Sequence, residues 1–210
     1  MNNVKDIRHR AVFLSDVHLG TRNCQAEMLQ QFMHSIDCQY LYLVGDIVDV
    51  RAMRRGFLYW PQQHNNLLRT ILGMARRGTR VTYVPGNHDE LFRQHVRNAF
   101  GNISIERTTV HVTASGQRLL VIHGDEFDSL LQCPRLENFV GTVGYELIMS
   151  LNQLSNYWRA LTGQPYWSLA AAVKSRIGNA RRHIDDYEGV VSRYAAKRGF
   201  DGVVCGHIHK

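Results

Sequence analysis

Five short motifs in this chain of 210 residues carry side chains of the types that bind divalent metal ions. They offer carboxylate, amide and imidazole donors, and they read SDVH at 15–18, GDIVD at 45–49, GNHD at 86–89, HGD at 123–125 and GHIH at 206–209. Mixed oxygen and nitrogen donors without a thiolate suit Mn, Fe, Co or Zn. A single motif of this kind is also typical of a polar turn. Five of them together predict one shared metal site.

The last motif places His207 and His209 two residues apart. On an extended backbone, side chains at this spacing point to the same side, so the two imidazoles can converge on one ion. The pair alone is more typical of an exposed strand than of a metal site. It indicates a ligand pair only if partners lie elsewhere in the chain.

Each metal-binding motif ends a short apolar run, which predicts a buried strand. With their motifs, the runs are 11–18, 41–46, 81–89, 119–125 and 203–209. Two segments of helical length, about 21–36 and 61–77, alternate with the first three runs, which favours an α/β sheet. Ligands of such sheets bind outside the carboxyl ends of the strands, where the motifs fall. Residues 103–113 and 117–123 are predicted to form a hairpin.

The segment 127–199 has helical rather than strand periodicity. Its first apolar stripe is Leu136, Val140, Val143, Leu147, Leu151, Leu154, Trp158 and Leu161, and its second is Leu169, Val173, Ile177, Ala180, Ile184, Tyr187, Val191 and Tyr194. These helices either cover the sheet or form a cap over the strand ends that receives an acyl or ring ligand. The segment is longer than one crossover helix needs. The predicted domains are therefore a core of 1–126 with 200–210, and a helical insertion of 127–199.

The overall charge favours an anionic partner. The chain has 25 basic and 18 acidic residues, a net charge of +7 and a pI near 9.5. Nucleic acid, a phosphorylated metabolite and an anionic membrane surface all remain open on this evidence. No run approaches the roughly 18 apolar residues of a membrane span, and the first ten residues do not resemble a signal peptide. These features predict a cytoplasmic protein whose four scattered cysteines are free thiols.

The order of the motifs DVH, GDIVD, GNHD, HGD and GHIH resembles the calcineurin-like metallophosphoesterases over residues 13–209. The resemblance implies an α/β (α+β) fold, a double β-sandwich flanked by helices, with a dinuclear metal site. One ion would be held by Asp16, His18 and His209, and the other by Asn87, His123 and His207. Asp46 would bridge them.

Physical reasoning supports a bridging carboxylate. Two divalent cations about 3.5–4 Å apart repel each other, and a shared anionic ligand limits that repulsion. Mn is the expected metal, with Fe, Co or Zn as alternatives. A water between the two ions becomes a hydroxide near neutral pH and can attack phosphorus, so no protein nucleophile is required.

Three further motif residues are candidates for catalysis. His88 is predicted to stabilise the transferring phosphoryl group or to protonate the leaving group. Asp49 and Asp89 are predicted to accept hydrogen bonds that fix the orientation of imidazole rings.

Longer stretches, including SDVHLGTRNCQAEML and GVVCGHIHK, are similar to the UDP-2,3-diacylglucosamine pyrophosphohydrolase branch and its paralogues. This similarity implies release of UMP from a UDP-linked lipid precursor of lipid A, peripherally at the inner face of the membrane. In that branch the position of His88 usually carries Arg, and the chain usually continues beyond GHxH, so a paralogue or a fragment lacking C-terminal strands is also expected. The alternatives are a general phosphodiesterase or nuclease, and a weakly active metal-binding scaffold.

Overall fold

The structure is a computed structural model that describes residues 7–56, 59–128, 155–156, 158–159, 162 and 178–208. The chain divides into two compact units, Met1–Asp125 with Ala195–His209, and Glu126–Tyr194 with Lys210. The first unit contains all five metal-binding motifs, of which the last ends at His209, a residue outside the described part of the chain.

The first sheet brings three of the motifs to one edge. Its strands are β1 (Ile7–Leu14), β2 (Ile36–Val44), β3 (Arg80–Val84), β4 (Ala99–Phe100) and β5 (Ile103–Ile105), in the order β1-β2-β3-β5-β4. All neighbours are parallel except β4 and β5. Leu14 pairs with Leu43, and Val44 pairs with Val84. The motifs after β1, β2 and β3 therefore leave the sheet side by side.

Helices cover one face of this sheet. They are α1 (Ala26–Ser35) and α3 (Gln62–Arg76), while the short α2 (Val50–Arg54) follows the second motif. Met33 of α1 and Leu67 of α3 are buried against strand residues such as Leu41. Burying one such side chain contributes about 1.5–3 kcal/mol.

The two helices between the first three strands are confirmed, and α1 begins later than the prediction of 21–36. The residues before it form a turn in which the backbone N–H and the hydroxyl of Thr21 both donate to the carbonyl of His18. This local bonding fixes the loop that carries His18 and competes with the helix.

A second, three-stranded sheet carries the other two motifs. It consists of β6 (Thr109–Val112), β7 (Arg118–Val121) and β8 (Gly202–Val204), with β6 antiparallel and β8 parallel to β7. The predicted hairpin is confirmed for β6 and β7, but its first arm is shorter than 103–113. Ile105 is buried in the core of the first sheet, and the N–H of Glu106 donates to Tyr83 in β3. The predicted single strand is therefore divided between the two sheets.

The two sheets pack face to face through an apolar layer. Tyr42, Val44 and Val121 are buried there, with Phe13 and Val204 packed against them. The hydroxyl of Tyr42 lies 3.1 Å from Nδ1 of His111 in β6. The result is the α/β fold that was predicted, a pair of sheets with helices on the outer face of the larger one.

The end of the predicted insertion forms α4 (Gly178–Lys197). Its residues Tyr187 and Val191 are buried, as the second apolar stripe predicts, and Tyr187 and Tyr194 both pack edge-on against Phe127. Most of the first stripe lies outside the described residues. The cap over the strand ends stays a prediction.

A search of the described helices finds none that is both long and apolar enough to pass through a lipid bilayer.

Lowering the pH should destabilise the sandwich through His111. Burial, and then the positive charge of Arg10, hold the pKa of His111 below its usual value of 6.5. The unfolded chain takes up a proton near pH 6.5, whereas the folded chain does so only at lower pH. The stability that neutral His111 contributes is therefore complete above about pH 6.5 and is lost as the pH falls toward the folded pKa.

Urea unfolding of the chelator-treated protein between pH 8 and pH 5 measures this loss. The variant His111→Gln should lose stability less steeply with falling pH than the wild type. Replacement of exposed His9 with Gln is the matched control and should leave the wild-type slope unchanged. An identical slope in His111→Gln and the wild type would contradict the assignment.

Candidate metal centre

Backbone hydrogen bonds join the loops that follow β1 and β2. The N–H groups of Asp16, His18 and Leu19 donate to the carbonyls of Gly45, Asp46 and Ile47, at 3.1, 2.9 and 2.8 Å. The pairing extends the sheet beyond the ends of the strands. It places His18 beside Asp46.

Four candidate ligands adopt the left-handed backbone region. The φ angles are 55° at Asp16, 53° at His18, 54° at Asp46 and 75° at His207. Residues other than glycine rarely adopt this region, which costs of order 1–3 kcal/mol each and is found mainly at functional sites. The surrounding fold therefore holds these four side chains in orientations that an unconstrained loop would seldom take.

Asp46 lies at the centre of the cluster and is only 2% exposed. Its Oδ2 is 3.4 Å from Nε2 of His123 and 4.0 Å from Nε2 of His18, while its Oδ1 accepts the N–H of His88 at 2.8 Å. Donor atoms bound to one ion at about 2.1 Å stand about 3–4 Å apart. Both distances are therefore of the size expected between two ligands of one ion, so Asp46 could share an ion with either imidazole.

Two groups of potential ligand atoms share this carboxylate. One group is His18, Asp46 and His88, and the other is Asp46, His123 and His207, with ligand atoms within 4.8 Å of one another. The donors are carboxylate and imidazole, which fit divalent transition ions. The residues present therefore fit the dinuclear site that the resemblance implies.

Charge keeps the Asp46 carboxylate ready to bind a cation. Burial would raise the pKa of Asp46, but the hydrogen bond and charge of His123, together with His88, hold it well below its usual range. Burial would lower the pKa of His123, and Asp46 instead raises it to about 9. Imidazole binds metal in its neutral form, so cation binding at this pair is coupled to proton release.

The fold fixes which nitrogen of His123 faces Asp46. Its Nδ1–H donates to the carbonyl of Val44 at 3.0 Å, because a carbonyl can only accept. Nε2 then lies near Asp46 and 3.3 Å from Oδ1 of Asn87. A second hydrogen bond of this type sets the tautomer of metal-binding histidines.

Asp49 contacts both imidazoles of the group formed by His18, Asp46 and His88. Its Oδ2 lies 3.0 Å from Nδ1 of His18 and 2.9 Å from Nδ1 of His88, and its Oδ1 accepts the N–H of Ala52 at 2.7 Å as the N-cap of α2. Burial would raise the pKa of Asp49, but these hydrogen bonds keep it well below its usual range. An ionised Asp49 makes both Nδ1 atoms donors, so Nε2 is the atom through which His18 could bind a metal ion.

The partners of Asp89 differ from the expectation that it orients an imidazole. Its fully buried carboxylate accepts the N–H of Gly86 at 2.6 Å, the N–H of Ile47 at 2.8 Å and the hydroxyl of Tyr83. Burial, with the negative charge of Asp46, raises its pKa. Asp89 instead joins the loop after β2 to the loop after β3. Backbone N–H groups of both loops donate to its carboxylate, which holds the two loops together.

Asp16 and His207 join the first and last motifs. The N–H of His207 lies 3.2 Å from Oδ1 and 3.1 Å from Oδ2 of Asp16, and Oδ2 also accepts the hydroxyl of Ser15. The rings of His207 and His123 are 5.3 Å apart. Within the described residues, neither ligand group includes Asp16. The structure brings the other described predicted ligands together, and these are His18, Asp46, Asn87, His123 and His207. His209 lies outside the described residues.

Sequence reasoning missed two glycines and a tyrosine that shape the site. A Cβ on Gly45 would lie 2.1 Å from Nδ1 of His123, and one on Gly86 would lie 2.3 Å from Oδ1 of Asp46. The sequence does indicate both glycines, since Gly45 directly precedes Asp46 and Gly86 directly precedes Asn87. Tyr83, which donates to Asp89, lies within an apolar strand run and gave no such signal.

Replacing Asp49 with Asn should weaken metal binding by about 10–100-fold, the usual effect of losing a partner that orients a ligand. Asn keeps an oxygen that can accept the N–H of Ala52. It lacks the negatively charged second oxygen that accepts hydrogen bonds from His18 and His88. Titration of the apoprotein with Mn²⁺ measures the affinity. Asn at the exposed Asp201 is a control away from the ligand groups. Equal affinity in Asp49→Asn and the wild type would rule out the orienting role.

Comparison with known proteins agrees with this geometry. The model of the family described as calcineurin-like phosphoesterase matches residues 9–210. The chain is similar to the UDP-2,3-diacylglucosamine hydrolase of Blochmanniella pennsylvanica, with 26% identity over 117 residues, which cover 54% of this chain and 46% of that protein. It is also similar to the DNA polymerase II small subunit of Methanothermobacter thermautotrophicus, with 24% identity over 162 residues, which cover 60% of this chain and 32% of that protein. The chain thus spans less than half the length of either relative.

The family match covers nearly the whole chain and includes all five motifs. The site assembled from those motifs has the donor types that a pair of divalent ions requires. This chain belongs to the calcineurin-like phosphoesterase family.

Proposed function

We propose that this protein hydrolyses phosphoester bonds with two divalent metal ions, Mn²⁺ being the expected metal. The observation that carries the proposal is the position of Asp46, whose single carboxylate belongs to both groups of ligand atoms. A buried carboxylate with a lowered pKa, between histidines on both sides, suits the bridging role better than a structural one.

The proposed ligand set follows the motifs. Asp16, His18 and His209 would hold the first ion and Asn87, His123 and His207 the second, with Asp46 shared. When bound, the ions would polarise the phosphoryl group and activate a water. The chain positions these ligands through strained backbone at four of them and through the second hydrogen bonds of His18 and His123.

His88 is the proposed catalytic residue outside the ligand set. Asp49 accepts from its Nδ1–H and so fixes the plane of the ring. The ring of His88 also packs edge-on against that of His18, with centroids 4.8 Å apart. A protonated imidazole at this place would stabilise oxygens of the transferring phosphoryl group or give a proton to the leaving oxygen.

The substrate that best fits is a nucleotide pyrophosphate of the UDP-2,3-diacylglucosamine type, cleaved to release UMP. The similarity to a UDP-2,3-diacylglucosamine hydrolase supports this choice. The net charge of +7 suits an enzyme that works peripherally on an anionic membrane from the cytoplasmic side. The helical insertion of 127–199 would receive the acyl chains.

A phosphodiester in nucleic acid is the second candidate substrate. Two observations favour it, the similarity to a DNA polymerase II small subunit and the same positive charge. A steep decrease of oligonucleotide binding with rising salt would support this candidate over the lipid nucleotide.

Metal-dependent UMP release from UDP-2,3-diacylglucosamine by the purified protein tests the proposal. Bis-p-nitrophenyl phosphate and a single-stranded oligonucleotide serve as alternative substrates. His88→Ala should reduce kcat by about 10²–10⁴-fold, the range for loss of a positioned proton donor. The variant His95→Ala, which alters an exposed histidine, should retain activity.

The outcomes separate the candidates. UMP release that His88→Ala abolishes supports the lipid nucleotide, and cleavage of the generic diester or the oligonucleotide alone discards it. A folded, metal-loaded protein that cleaves none of the three would point to a metal-binding scaffold and overturn the proposed hydrolysis.

A further inference from the structure

A cavity of about 300 Å³ lies between α1 and α3, on helices that carry none of the candidate metal ligands. Apart from Gly73, every described residue that lines it has a side-chain N–H or O–H group, and these residues are Gln30, His34, Asn66, Arg69, Thr70 and Arg77. The described lining includes no carboxylate. With two arginines and no carboxylate in the described lining, the cavity favours an anion over a cation.

Hydrogen bonds order the polar side of the cavity. Oγ1 of Thr70 donates to the carbonyl of Asn66 at 2.9 Å and lies 3.2 Å from Nε2 of His34 on the neighbouring helix. The amide of Gln30 approaches the same hydroxyl at 3.5 Å. Thr70 therefore connects the two helices and sets the positions of the surrounding donors.

Arginines form the other side. Arg69 and Arg77 line this cavity, and both also line an adjoining cavity of about 350 Å³ together with Arg76. All three side chains are exposed, and none forms an ion pair with a carboxylate within the part of the chain that the structure describes. Arg69 and Arg76 are seven residues apart, which is about 10 Å along the helix.

Gly73 lies where the two cavities meet. Glycine inside a helix costs about 1 kcal/mol relative to alanine. A Cβ at this position would lie 3.3 Å from an Nη of Arg77, so a larger side chain would compete with the guanidinium for the space. The glycine keeps the surface open between Arg69 and Arg77.

We propose that the α1–α3 cavity binds a phosphate group of a small anionic ligand, at a site separate from the metal centre. Guanidinium groups match phosphate oxygens with paired hydrogen bonds. A carboxylate has two oxygens, whereas a phosphate has more acceptor positions for the N–H groups of the lining; the single hydroxyl proton of Thr70 is already donated to Asn66. A nucleic acid strand is less favoured because the described lining has no Phe, Tyr or Trp side chain on which a base could stack.

Calorimetric titration of the metal-free, chelator-treated protein with inorganic phosphate and with pyrophosphate tests the site without using activity. The double variant Arg69→Gln/Arg77→Gln should bind at least about tenfold more weakly, as expected for the loss of charge-assisted hydrogen bonds. Gly73→Leu fills the cavity without changing charge and should cause a similar loss. Thermal melting of each variant checks that it is folded.

The double variant Arg54→Gln/Arg55→Gln is the matched control, since it removes the same charge from exposed arginines of the C-terminal end of α2. Its affinity should equal that of the wild type. Equal weakening in this control would show a general charge effect and overturn the site, as would unchanged binding in Gly73→Leu. Binding of an oligonucleotide in the absence of any phosphate or pyrophosphate binding would assign the surface to nucleic acid instead.

Discussion

Replacing Asp46 with Asn should reduce kcat/KM by about 10³-fold or more and lower the metal content from two ions to one or fewer. An amide has no charge to offset the repulsion between two cations. A bound metal ion contributes several kcal/mol of transition-state stabilisation, and loss of an ion therefore lowers the rate by orders of magnitude. Asn also leaves His123 without the carboxylate that raises its pKa to about 9. Both the activity and the bound metal should therefore fall together.

Elemental analysis of the purified variant, with the rate on bis-p-nitrophenyl phosphate, measures both effects. Asn at Asp37 is the matched control, because this aspartate is exposed on the same strand, β2. The control should keep two ions and full activity. Two tightly bound ions in Asp46→Asn would show that the carboxylate does not bridge.

Gly86→Ala should inactivate the protein although every candidate ligand is retained. The added Cβ would lie 2.3 Å from Oδ1 of Asp46 and 2.6 Å from Nε2 of His123. Both distances are shorter than the non-bonded contacts that real Cβ atoms make. The ligands must move by several tenths of an ångström or more, and misplacement by about 1 Å costs on the order of 10²-fold in rate. We expect a loss of about 10²–10³-fold in kcat/KM and weaker binding of the metal.

The control for this variant is Gly189→Ala in α4, where the nearest atom to the new Cβ is the flexible end of Arg193. Alanine there should preserve activity and slightly raise the melting temperature, because it is a better helix former. Wild-type rates in Gly86→Ala would mean that Asp46 and His123 are not held as close to residue 86 as the structure shows.

The strands were predictable because they are buried. Runs such as that ending at Val44 are apolar on both faces, since one face packs on helices and the other on the second sheet. The same property hides which sheet a strand joins. Ile105 and Val110 belong to one predicted strand, 103–113, yet they lie in different sheets, and the packing of Ile105 beside β3 decides this.

The candidate site was predictable where residue type limits the chemistry. Asp46, His123 and Asp49 stand in short polar motifs after strands, and the structure places them in contact with other motif residues. Asp89 occupies an equivalent position in sequence but contacts backbone N–H groups and Tyr83. Its partners depend on how two loops approach each other, which spacing along the chain does not determine. The assignment of His209 stays a prediction.

The contact between Asp16 and His207 joins residues 191 positions apart. Ions held between the motifs would act in polymer terms as cross-links, each closing a long loop of chain, and the entropy removed from the unfolded state grows with the logarithm of loop length. The loop after β1 would be tied in this way to the segment after β8. Occupancy of the metal centre would then stabilise the association of the two sheets as a non-covalent counterpart of a disulfide.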